Sequence, residues 1–177
     1  MATANEIFGA LAARFPDLSL ELKPLLMRGE EPGDQFFVRV EPTALIEVLA
    51  FLRDDSATRF EQLIDLTCVD YLNFPDATDR YGIIYSLLSL THNHRLWIKA
   101  FVNDPAPTIP SAMPVWKGAD WMEREVFDMF GIVFKGHPDL RRILTWDGFK
   151  AHPLRKDYPL RGQGERENYE VVTRDSA

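Results

Sequence analysis

Between Asp120 and Arg142 the chain gathers the side chains best able to do chemistry: Asp120, Glu123, Glu125 and Asp128 with Arg124 among them, then His137 and the pair Arg141 and Arg142. A second polar set, His152, Arg155, Lys156 and Asp157, follows downstream. Carboxylates set beside histidine or arginine can move protons or form charge-assisted hydrogen bonds. His92 and His94 could in principle share a metal with His137, although such residues at a hairpin tip are more often plain polar groups. No G-x-G-x-x-G, P-loop or G-x-S-x-G pattern occurs, and no nucleophile has an arranged base.

The acids need a scaffold, and the local pattern supplies one. Asp120 reads as a helix N-cap with Glu123 at N3, and Gly131 supplies the left-handed position after the last turn. From Trp121 to Phe130, Met122, Val126, Phe127, Met129 and Phe130 share one arc, while Arg124, Glu125 and Asp128 lie opposite. Glu123 falls inside the apolar arc. Buried there it needs a partner, either the capping box or an ion pair with Arg141 or Arg142 brought back by the turn Gly136-His137-Pro138. His137 and His152 each precede proline and are held extended; their expected role is to donate hydrogen bonds that fix turns.

Upstream, periodicity predicts a helix over 5–15, an edge strand over 18–27 despite Pro24, and a strand over 35–40, with turn chemistry at 29–34 between them. A helix over 43–53 carries the stripe Leu45, Val48, Leu49 and Leu52. A strand over 60–72 sets Ile64, Leu66 and Cys68 on one face. Asp65 and Asp70 then point opposite ways and cannot act as a pair, though either can meet a group elsewhere. After a loop over 73–79, strands over 81–90 and 95–102 form a hairpin. Four prolines make 102–118 an extended connector with room for one helical turn. The fold class is α+β: a two-layer body of mixed β-sheet packed with helices.

A chain of 177 residues, 46% hydrophobic, suffices for one domain with its own core. A formal charge of −7 argues against general nucleic-acid binding. The single cysteine, expected to be buried and inert, excludes an internal disulfide and any Cys-only metal or iron–sulfur site. No apolar run reaches transmembrane length, and the first residues resemble neither a signal nor a transit peptide; the expectation is a soluble, intracellular polypeptide.

The stretches Glu123-Arg124-Glu125, Asp128, Phe130-Gly131-Ile132, Gly136 to Leu144 and His152 to Pro159 resemble the signature of the C-subunit family of NADH-quinone oxidoreductase, respiratory complex I. Asp65-Leu66-Thr67, Val69-Asp70-Tyr71, Tyr85 to Leu90 and Asn93 to Leu96 resemble it too. Ala151 departs from the usual glycine, and the chain stops soon after the last motif. The resemblance implies a structural subunit of the peripheral arm of a proton-translocating complex, in which electrons pass from NADH through FMN and iron–sulfur clusters to quinone. It implies no cofactor and no catalytic residue in this chain, with FMN and clusters in partner subunits. The D-type subunit at the quinone pocket is the chief partner, beside B- and I-type subunits, and the place is the cytoplasmic side of the inner membrane. Two alternatives are the same subunit type in a membrane-bound hydrogenase or other-donor complex, and a free-standing hydrolase or lyase needing two of Glu123, His137 and His152 in one pocket.

Beyond Ile143 periodicity ends, yet Leu144, Trp146, Phe149, Leu154, Tyr158, Leu160 and Tyr169 remain, which disordered tails normally lack. Residues 135–166 hold eight Lys/Arg against four Asp/Glu, a net of +4 that leaves −11 for the rest. The expectation is a body over 1–143 and an extended partner-binding arm over 144–177, anchored by Arg141, Arg142, Arg155 and Lys156. The competing reading wraps the same residues over their own domain.

Overall fold

The computed structural model describes residues 4–26 and 32–164. Helix α1 (Ala4–Arg14) leads to strands β1 (Glu21–Leu26) and β2 (Pro32–Arg39), helix α2 (Leu45–Asp54), strands β3 (Gln62–Asp70), β4 (Tyr81–Ser89), β5 (His94–Val102) and β6 (Thr108–Pro110), helix α3 (Ala119–Phe130) and strand β7 (Val133–Lys135). The main sheet runs β1-β2-β5-β4-β3, antiparallel except for the β2–β5 pair. It is the expected α+β body.

Alternation along the strands decides where the layers lie. Leu66, Cys68 and Asp70, then Tyr81, Ile83, Tyr85 and Leu87, then Leu96, Ile98, Ala100 and Val102 are all buried, whereas their alternate neighbours are not, Gly82 excepted. The buried face meets Ile7 and Leu11 of α1, the stripe Leu45, Val48, Leu49 and Leu52 of α2, and Val126 and Met129 of α3 in one core. All three helices therefore cover one side. Gly82 is buried because the Tyr71 ring lies across it: a Cβ there would stand 2.8 Å from Tyr71 Cε2.

Several expectations need correction. Pro24 does sit in an edge strand, beside a register shift. The turn over 29–34 is shorter than its composition suggests, since Pro32 to Asp34 already belong to β2; Gly29 to Glu31 lie outside the described residues. A bulge between Leu63 and Asp65 shifts the pairing of β3, so Ile64 leaves the apolar face and is 44% exposed. The proline-rich connector holds both a strand and a turn. β6 pairs in parallel with β7, and the amides of Val115 and Trp116 bond to Ala112 O. This connector bridges the two ends of α3.

Candidate functional site

The entry to α3 shows why its cap differs from the expected one. The turn over 112–116 runs straight into the helix: Ala119 N–H donates to Trp116 O at 3.1 Å and Asp120 N–H to Lys117 O at 3.3 Å. The first amides thus find backbone acceptors, the N-cap position falls to Gly118, and no side chain caps the helix. Asp120 lies inside the first turn. Gly131, at φ +75°, closes the other end as expected.

Freed from capping, Glu123 is fully buried and turns to the connector. Its Oε2 accepts the Ser111 hydroxyl at 2.6 Å and its Oε1 the Ala112 amide at 2.6 Å. Both expectations for this residue, the capping box and the ion pair with Arg141 or Arg142, are therefore replaced by hydrogen bonds from an uncharged hydroxyl and an amide. Burial raises the carboxyl to about 7, against the lowering by Ser111 and Ala112.

The polar face of α3 is not a solvated one. Asp120, Arg124 and Asp128 stand one turn apart, and the segment from His137 to Thr145 runs along them. His137 accepts the Asp139 amide at Nδ1, 3.1 Å, so its proton sits on Nε2, which donates to Asp120 O at 3.2 Å. Arg124, buried, stacks on Trp121 at 4.7 Å and donates to Arg141 O at 3.3 Å. At Asp128 five donors converge on one carboxylate. Oδ1 takes Arg142 Nη1 at 2.8 Å and the Thr145 hydroxyl, while Oδ2 takes the amides of Ile143, Leu144 and Thr145 at 3.0, 2.7 and 2.9 Å. Burial pushes this group up, but the hydrogen bonds from Thr145, Leu144 and Arg142 outweigh it and hold it at about 2. Glu125 faces solvent.

Farther on, the chain returns to the C-terminal end of α3. Leu154 N–H donates to Met129 O at 3.1 Å, His152 Nδ1 to Asp128 O at 3.0 Å and Arg155 Nε to Phe130 O at 2.6 Å. These replace helix partners missing from the last turn. A boundary at residue 143 would pass through the turn that Asp128 holds, and the stretch up to Asp157 lies on its own body, in keeping with the competing reading. Tyr169 and the rest of the expected arm beyond residue 164 lie outside the described residues. Arg142 and Arg155, expected to anchor a partner, have acceptors within the chain. Among the described residues Arg141 pairs with Asp139 alone, and its side chain is 70% exposed; the Lys156 side chain is also exposed.

Sequence reasoning misses one hub. Arg80 meets Asp157 at 2.7 Å, Asp70 at 3.4 Å and Asp104, while Asp70 also accepts the Lys156 amide at 2.8 Å. The parity of Asp70 with Leu66 and Cys68 is the one signal for it, since it marks a buried acid in need of a cation. Nothing local points to Arg80, Asp104 or Ser111.

Glu123, His137 and His152 each bond to a different partner: Ser111 and Ala112, Asp120 and Asp139, and Asp128 respectively. His92 and His94 stack at 5.5 Å and point Nε2 at Ser56 O and Thr58 O. Among the described residues no group of three His, Cys, Asp or Glu could hold a metal. Cys68 is buried, and burial pushes its thiol up. No described helix is long and apolar enough to cross a membrane.

What the arrangement does is hold a ledge. The 137–145 segment is fixed along α3 and leaves Leu144 61% exposed; Trp146, 43% exposed, follows it, and Trp121 on α3 is 64% exposed. Leu154 and Leu160 are exposed beyond it.

Residues 38–164 match the model of the family described as respiratory-chain NADH dehydrogenase, 30 Kd subunit. The NADH-quinone oxidoreductase C subunit of Caulobacter vibrioides is 56% identical over 122 residues, covering 69% of this chain and 60% of that protein. The mitochondrial NADH-ubiquinone oxidoreductase 30.4 kDa subunit of Neurospora crassa is 44% identical over 132 residues, covering 75% of this chain and 45% of that one. The chain thus spans from under half to about three-fifths of the length of these two relatives. A trypsin-resistant fragment (1-134) of Nqo5 superposes with a TM-score of 0.62 at 29% identity, over 75% of this chain and 97% of the fragment. The archaeal membrane-bound sulfane sulfur reductase shares the fold, with a TM-score of 0.70 at 19% identity over 96% of this chain and 93% of that one. On this ground the chain belongs to the 30 kDa subunit family of the respiratory-chain NADH dehydrogenase.

Proposed function

We propose that the chain is the C-type component in the peripheral arm of a proton-translocating NADH:quinone oxidoreductase. It sits on the cytoplasmic side of the inner membrane, with no cofactor or catalytic residue of its own. Its task is to hold the quinone-site protein of the complex, the D type, through the α3 ledge and the chain beyond residue 144, and so to keep in place the route from FMN and iron–sulfur clusters to quinone in its partners. B- and I-type subunits are further neighbours.

The observation that carries this reading is the grip of Asp128. Burying a carboxylate costs several kcal/mol, and a charge-assisted hydrogen bond returns about 1.5–3 kcal/mol. Five of them on one group make a fixed turn rather than a loose one, and that turn presents Leu144 outward. A rigid support under an exposed apolar side chain is what an interface anchor needs. Basic residues along 135–166, on a body otherwise acidic, favour a partner surface rich in carboxylates.

The test is to release the native complex from membranes with mild detergent and isolate it through a tag on this chain. Co-purification of a quinone-site protein together with NADH:quinone reductase activity is expected. Recovery of the chain alone, as a stable monomer, would overturn the reading.

A further inference from the structure

The outward face of the main sheet is a feature that the proposed ledge contact does not use. Cross-strand register builds it in rows. Lys23, Phe37, Trp97, Ser86 and Asp65 form one, Arg39, Lys99, Ile84 and Thr67 the next, and Phe101, Gly82 and Val69 a third, in which the Tyr71 ring covers Gly82 and stands 6.1 Å from that of Phe101. Phe37, Trp97, Phe101, Ile84, Val69 and Leu88 are only partly buried, although each stands in a strand whose other face is closed. An apolar, aromatic surface of this kind on one side of a two-layer fold marks an interaction site.

Its charges say what would cover it. Arg39 is neutralised by Asp79 at 2.9 Å and lies 4.5 Å from the Phe101 ring centre; Lys23 pairs with Glu21 at 2.9 Å. Lys99, on the strand between Phe37 and Ile84, differs. Its ammonium lies 3.9 Å from the centre of the Phe37 ring, and no described carboxylate pairs with it. Partial burial already lowers its affinity for a proton. A partner that covered the aromatic rows would remove the remaining water from this cation, which is unfavourable unless it brought an acid to the same place.

We infer that this face docks a second partner protein, through an amphipathic segment whose apolar side chains lie on Phe37, Trp97 and Phe101 and whose carboxylate pairs with Lys99. The two helical elements nearest in sequence, α2 and α3, lie on the opposite side of the sheet and cannot supply it. The inference rests on the chain being part of a larger assembly, but it concerns a surface separate from the α3 ledge.

Acylation of lysines by a small water-soluble amine reagent, read by mass spectrometry on the isolated complex and on the free chain, tests it. A zero-length carbodiimide coupling is run on the same complex. Lys99 is expected to react at least tenfold more slowly in the complex than in the free chain, and to couple to an Asp or Glu within an apolar peptide of another protein. Equal reactivity in both states would overturn the inference while leaving the ledge contact standing. Protection without any carboxylate coupled, or coupling to a second copy of this chain, would also overturn it.

Discussion

Asp128 Oδ1 stands 2.8 Å from Arg142 Nη1, while Oδ2 of the same carboxylate takes three successive amides of the following turn. One acid thus ties α3 to the segment that carries the exposed ledge. Glu123, five residues earlier on the same helix, makes no ion pair among the described residues and serves the other connection, to the chain before α3. The two carboxylates fasten the helix on both sides by different means, one held ionised by five donors and one whose carboxyl burial raises to about 7.

For Asp128 the sign follows from its lowered value. A carboxyl held at about 2 against a reference of 3.8 contributes stability that is complete above the reference and lost as pH falls through about 2. Asp128→Asn keeps one acceptor but aims an NH2 at the amides of 143–145, so about 2–4 kcal/mol should be lost at neutral pH. Urea unfolding across a pH series is expected to show wild-type stability falling toward the variant's between about pH 4 and 2.

Glu123 should act in the reverse sense. Its folded value of about 7 lies above the reference of 4.5, so its contribution is complete below the reference and lost as pH rises through about 7. Wild-type stability is expected to decline across that window, and Glu123→Gln, which keeps an acceptor for Ser111 or Ala112, should flatten the slope there. A variant with the same slope as wild type would show that the group titrates normally.

Gly131→Ala tests the return of the chain to α3. The left-handed backbone alone disfavours a side chain by about 1 kcal/mol, and the new Cβ would stand 2.5 Å from His152 Nε2 and 2.6 Å from Arg155 Nη2. Loss of about 2–4 kcal/mol is expected in thermal or denaturant unfolding, with greater protease sensitivity around residues 152–157. Unchanged stability and protection would mean that the segment does not seat against the helix end.

Much of this fold is legible from periodicity, because the helices and the β4–β5 hairpin bury one face each: Leu45, Val48, Leu49 and Leu52 all lie where a 3.6-residue repeat puts them. Gly131 is equally legible, since its place after an apolar helix calls for the left-handed region. The partner of Glu123 is not. Its position in the apolar arc announces burial, but Ser111 comes from a proline-rich connector whose path depends on the β6–β7 pairing, a contact between residues far apart in sequence. Nor does the sequence show the covering of Arg124 and Asp128, because a wheel places polar residues opposite the core without telling whether another segment lies over them. Arg142 and Arg155 pass for outward anchors for the same reason. Cutting the chain after Leu144 would accordingly damage the body itself, since Thr145, His152 and Arg155 all hold α3.

A point substitution on the ledge separates folding from assembly more cleanly. Leu144 gives its amide to Asp128 and leaves its side chain in solvent, so Leu144→Glu should leave the unfolding midpoint unchanged while placing a charge where the partner must be dry. The decisive measurement is the fraction of tagged chain recovered within the NADH:quinone oxidoreductase complex, compared between wild type and this variant at equal expression. At least a tenfold loss of incorporation with an unaltered midpoint is expected; full incorporation with normal NADH:quinone reductase activity would contradict the role given to the ledge.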